Sequence, residues 1–168
     1  MTRLVLNFYR LLLALSCISM VAAFATVALG ILSRLANWNI PGLDAYAGYA
    51  IAAALFLALP STLLKGEHIR VTLLLERAPE RLRQGLEWWS LGAALALSAY
   101  MAWFALRLVW VSYTTHDVSP AADASPLWVP QLAMALGCTG FALAFAQALL
   151  GRWKGRDLIA AGHAAHTE

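Results

Sequence analysis

The sequence predicts an all-α fold, a polytopic membrane protein with four transmembrane helices, and three observations carry that prediction. Of the 168 residues, 61% are hydrophobic and 12% charged, whereas soluble domains carry about 25% charged residues. Four apolar stretches, 11–32, 43–64, 86–112 and 127–150, each reach the roughly 20 residues that a helix needs to cross a bilayer. Nearly all lysines and arginines fall in the segments between and beyond those stretches. A very apolar soluble bundle would need polar helix faces at a 3.6-residue period, and these are missing. The stretches are too long for the strands of a membrane barrel and lack their alternation. Helices remain, because backbone groups in lipid must satisfy one another.

The first stretch, 11–32, contains no charge. It exceeds the apolar region of about 7–15 residues typical of a signal peptide, so the Ala23-Phe24-Ala25 triplet is read as part of an uncleaved anchor. The connection "NWNIPGLDAYAGY" then turns at Pro41-Gly42 and sets Trp38 and Tyr46 near the interface, where aromatic rings prefer to lie. Asp44 falls in the first turn of the second helix, where an acid suits the helix dipole. Small residues crowd that helix ("AGYAIAAAL") and the fourth ("AMALGCTGFALAFA"), which permits close packing.

Between the second and third stretches lies a basic segment, 65–83, in which leucines and charges mix. Read one way, it is an amphipathic interfacial segment with aliphatic side chains in the membrane surface and charges above. Read the other way, its leucines simply extend the second helix, and the alternation over 68–73 decides neither. Pro79 and Glu80 suit the first turn of the third helix. The second outer connection, "THDVSPAADASPLWVP", is acidic and proline-rich, and Pro126 and Pro130 suit a helix start. No linker or internal repeat divides 1–168, which reads as a single membrane domain.

Charge placement predicts the orientation. Arg3 and Arg10, the five bases of 65–83, and Arg152, Lys154 and Arg156 would share one side, leaving only Arg34 in the two other loops. By the positive-inside rule both termini and 65–83 are cytoplasmic, and the loops at 33–42 and 113–126 face outward. The net charge of +3 is therefore a matter of membrane orientation and gives no reason to expect nucleic acid as a partner.

Chemistry inside the helices is sparse. A pump or redox subunit should keep ionisable groups in its spans, and haem would need axial ligands there. Arg107 is the one charge well within a stretch, about five residues or roughly 7–8 Å from its end at Ser112. It either snorkels to outer phosphates or pairs with an outer acid or a partner subunit. Trp103, Arg107 and Trp110 share a side of the third helix, as a lipid-facing aromatic girdle or as a subunit interface. Cys17 and Cys138 both lie inside helices and read as small hydrophobes. His163 and His166 stand in a polar tail, without the further ligands that a metal site requires. No catalytic, cofactor or metal set is predicted, and the chain is not read as an enzyme.

The motifs that remain resemble one family. The second helix opens with an acid ("GLDAYAGYAIAAALF") and ends in "GEHIRV", 66–71, followed by "LLLERAPERLR"; before the fourth comes "SPLWVPQLAMALGCTGFAL". Over nearly the whole chain, from 10 to 150, this resembles the small membrane subunit of tripartite ATP-independent periplasmic (TRAP) transporters. Asp44 stands where glutamate is commoner in that family, and "MALGC" replaces an isoleucine–proline approach to the glycine. The resemblance implies a non-catalytic scaffold in the bacterial inner membrane. Its implied partners are a large multi-helix permease subunit, a periplasmic solute-binding protein and membrane lipids, in sodium-coupled uptake of an organic acid. His68 and Arg70 are then expected to cap the second helix and to meet lipid or a subunit. Asp44, Asp117 and Asp123 are expected on the docking face for the binding protein. The alternative is a non-catalytic four-helix anchor of some other multi-subunit membrane complex.

Overall fold

The computed structural model describes residues 3–38, 40–65, 79–121 and 124–153. They form four helices: α1 (Arg3–Leu35), α2 (Leu43–Leu64), α3 (Glu80–Thr114) and α4 (Trp128–Trp153). All four are long and apolar enough to cross a membrane. Among the described residues the only extended pairing is an isolated bridge between Val118 and Pro126. α1 and α3 begin well before the apolar stretches, so Arg3, Arg10 and Arg83 lie on helix rather than ahead of it.

Local sequence explains the ends. α1 and α3 both finish in a six-to-one closure: Trp38 N–H donates to the Ser33 carbonyl at 2.8 Å, and Asp117 N–H to that of Ser112 at 3.0 Å. Each closure needs a left-handed residue just past the helix, supplied by Asn37 (φ 56°) and His116 (φ 53°). Gly42 caps α2 at φ 85°, a conformation that only glycine adopts without cost. Pro79 sits at the cap of α3, and its carbonyl accepts from Leu82 and Arg83 at 2.9 and 3.0 Å. Its own missing N–H costs nothing there.

The helices alternate in direction and pack in the order α1, α2, α4, α3. The inner pair, α2 and α4, bury a third of their apolar windows, against 17% for α1 and α3. One cluster joins Tyr9 and Leu12 of α1 to Leu57 and Leu63 of α2 and Ala144 of α4. A second sets Ala102 and Ala105 of α3 against Ala135 and Cys138 of α4, with Phe56 of α2 alongside. Small faces meeting small faces let the backbones approach, and packing of this kind, with interhelical hydrogen bonds, is what holds helices together in lipid.

The tightest approach is at Gly137 and Gly140. A Cβ at 137 would fall inside 3.0 Å of the carbonyl of Phe56 and 2.9 Å from its Cβ. Phe56 is four residues before Pro60, which has no N–H, so that carbonyl lacks its usual helical donor. A Cα hydrogen of Gly137 points at it instead, the weak contact common where helices cross closely. Three residues on, a Cβ at 140 would meet Leu12 Cδ1 at 2.7 Å and Pro60 Cγ at 2.9 Å. Two glycines one turn apart thus seat α4 on α2 and α1 together.

Candidate interaction surfaces

Polar groups are few inside the bundle, and most bond to the backbone. The Ser16 hydroxyl of α1 donates to the Ala54 carbonyl of α2 at 2.7 Å, a buried bond between helices. Those of Ser61 and Ser98 donate to carbonyls three residues back, at 2.8 and 3.0 Å. The ionisable side chains with resolved partners gather at the two ends.

At the end where α3 begins and α4 finishes, Glu87 accepts from Arg83 Nε at 3.2 Å and from Arg152. The i,i+4 spacing of Arg83 and Glu87 was visible in the sequence; the reach of Arg152 across from α4 was not. Glu87 and Arg152 keep under a quarter of their side chains exposed, so this cluster ties the two helix ends together through charge-assisted bonds.

At the opposite end, Asp44 in the first turn of α2 pairs with Arg34 in the last turn of α1, 3.3 Å apart and well exposed. The sequence marks Arg34 as the lone base of the outer loops and Asp44 as an acid in the first turn of the second helix, without joining them. They line a recess of about 410 Å³ with Trp38, Pro41 and Ala121. Ala121 belongs to the α3–α4 loop, whose described residues are held by hydrogen bonds. Ser119 N–H donates to the Ser125 carbonyl at 2.8 Å and Leu127 N–H to that of Asp117 at 3.1 Å. Tyr49 of α2 donates to Ser119 Oγ at 2.7 Å and anchors the loop on the bundle. The loop therefore holds Asp117, which is exposed, on the same end as Asp44. Asp123, His68 and Arg70 lie outside the described residues.

Along the side of α3, Trp103 and Trp110 are 67% and 68% exposed. Arg107, also exposed, lies between them on the same face. It stands two residues, or roughly 200° of turn, from Ala105, which packs on α4, so the face points away from the bundle. Sequence spacing groups these three residues, and the structure brings them together on one exposed surface that no other described residue pairs with.

Residues 23–155 match a family described as DctQ: Tripartite ATP-independent periplasmic transporters, DctQ component. No curated protein and no solved structure matches the chain. The matched segment takes in all of α2, α3 and α4, α1 from residue 23 onward, and both loops with their polar anchors. The chain belongs to the DctQ family, the small permease component of TRAP transporters, and is a multi-pass membrane protein.

Proposed function

We propose that this chain is the stationary scaffold of a TRAP transporter in the bacterial inner membrane, bracing a large permease subunit that carries the substrate and sodium sites. The transporter takes up an organic acid, such as a dicarboxylate or a sugar acid, delivered by a periplasmic binding protein. The observation that carries this reading is the content of the bundle core. Among the described residues, the buried polar groups of the four helices are uncharged (serine hydroxyls, the Tyr9 hydroxyl, and the Gln131 and Gln147 amide oxygens), and the arginines, lysines and carboxylates stand at the ends or on the outer surface. Coupling ion to solute movement inside a membrane calls for charged groups at depth, and those then belong to the partner.

Basic residues at one end support cytoplasmic termini and a cytoplasmic 65–83 segment. His68 and Arg70 in that segment are assigned to the end of α2 and to anionic lipid, where each base near the surface contributes about 1 kcal/mol. The loop end then faces the periplasm and offers the docking surface for the binding protein. Asp117 and Asp123 supply its charge, while Asp44 is largely neutralised by Arg34.

Proteoliposomes with an inward sodium gradient test the proposal. The chain alone should give no uptake of any organic acid. Large subunit, binding protein and this chain together should give uptake that falls when this chain is omitted. Sustained sodium-driven uptake by the chain alone would overturn the scaffold assignment.

A further inference from the structure

We infer that the outer half of α3 is the surface on which a transmembrane helix of the large permease subunit packs, and that Arg107 takes a carboxylate of that helix. The inference rests on the scaffold reading above and adds to it a face, an anchor and the chemistry of the contact.

Arg107 is an uncompensated cation. It makes no hydrogen bond, ion pair or ring contact with the described residues, and it is exposed on the face turned away from α4. The edge-on pair of Tyr113 and Trp128, 5.8 Å apart, marks the nearer membrane interface. Arg107 is six residues from Tyr113 along the helix, or about 9 Å at 1.5 Å per residue. Lipid phosphate is an unsuitable partner at that depth, because of the direction in which the side chain leaves the helix. Each Cα–Cβ bond on a helix tilts toward its N-terminus, and the nearer interface lies at the C-terminal end of α3. The guanidinium is thus launched toward the membrane centre, away from the phosphates, and Trp110 stands exposed one turn along the return path. An acceptor must come to it within the apolar layer, and a carboxylate on a neighbouring helix is the group that neutralises it there.

The other outer helix presents a different surface, apolar and uncharged, as lipid contact requires. α1 exposes Ile18, Met20, Val21 and Phe24 and carries no charge between 11 and 32. α3 sets two tryptophans beside an arginine, residue types enriched at the centres of protein interfaces.

The test uses the intact complex, co-expressed and purified in mild detergent. The photo-crosslinking residue p-benzoylphenylalanine is placed at Trp103, at Trp110 or, as the α1 comparison, at Phe24. The inference expects adducts with the large subunit at 103 and 110 and none at 24. Arg107→Leu should weaken retention of the large subunit about thirty-fold or more, as loss of one partner of a desolvated charge pair does. Arg107→Lys should recover part of it, since charge survives without the planar fork. The melting temperature of the isolated chain should not fall with Arg107→Leu, because Arg107 has no partner among the described residues. Adducts with the large subunit at 24 alone, or lipid adducts at 103 and 110 with undiminished retention of the Arg107→Leu chain, would overturn the inference and leave the scaffold reading intact. Failure of the unaltered chain to retain any large subunit would overturn both.

Discussion

Replacing Gly137 by alanine adds one methyl group at the point where α2 and α4 come closest. The Cβ would stand 2.9 Å from that of Phe56, already half an ångström inside the 3.4 Å at which ordinary contact begins, and nearer still to the Phe56 carbonyl. These are backbone atoms and a first side-chain carbon, so no rotamer change relieves them, and the two inner helices must separate. Overpacking of this kind costs about 1–3 kcal/mol, set against a gain of up to about 1 kcal/mol from replacing a helical glycine by alanine. With the full gain the net loss is up to about 2 kcal/mol, which should lower the melting temperature by up to roughly 8 °C for a chain of this size. Gly48→Ala and Gly85→Ala are the matched comparisons, since a Cβ at either meets nothing within 4 Å. Both should hold or raise the melting temperature. Thermal unfolding in detergent, followed by circular dichroism, compares all three. If Gly137→Ala is as stable as Gly48→Ala, the close crossing of α2 and α4 is not as described.

Other perturbations probe the two ends of the bundle. Glu87→Gln removes the negative charge and one of the two oxygens that Arg83 and Arg152 share and should cost about 1.5–3 kcal/mol, read as a lower melting temperature of the isolated chain. Tyr49→Phe removes the anchor on Ser119 for a loss of about 1 kcal/mol, and should speed proteolytic cutting of the loop between α3 and α4 more than it lowers overall stability. Asp44→Asn breaks an exposed pair with Arg34 and should change stability by no more than about 1 kcal/mol. By freeing the Arg34 charge, it should make association with the binding protein more dependent on salt, as measured by surface binding at varied ionic strength.

The helices were legible in the sequence because lipid leaves so few alternatives: runs of apolar residues of spanning length must be helical. The cap at Gly42 and the proline starts of α3 and α4 were equally readable, since each depends on one residue's backbone. The start of α1 was not, because the basic residues that flank an apolar run are good helix formers and continue the helix beyond it. Packing order was out of reach as well. The small-residue runs announced close approach without saying which helices would meet, and nothing local tells that the Phe56 carbonyl faces Gly137. Of the surface residues, Trp103, Arg107 and Trp110 were grouped correctly because 3.6-residue spacing alone decides which helical residues share a face. Arg34 with Asp44, Arg152 with Glu87 and Tyr49 with Ser119 join different elements, so each waited on the tertiary fold.

A stationary scaffold should tolerate being locked. Ser16 and Ala54 touch across α1 and α2 through the 2.7 Å hydrogen bond between them. Cysteines introduced at both positions, after Cys17→Ser and Cys138→Ala, can be joined by a short bifunctional thiosulfonate reagent and released by reductant. Sodium-driven uptake by the complete transporter in proteoliposomes is then measured before cross-linking, after it, and after reduction. The scaffold assignment predicts one rate in all three states, within about two-fold, a difference of roughly 0.4 kcal/mol in barrier height. Uptake abolished by the cross-link and restored by reductant would contradict it, and would make this chain one of the moving parts.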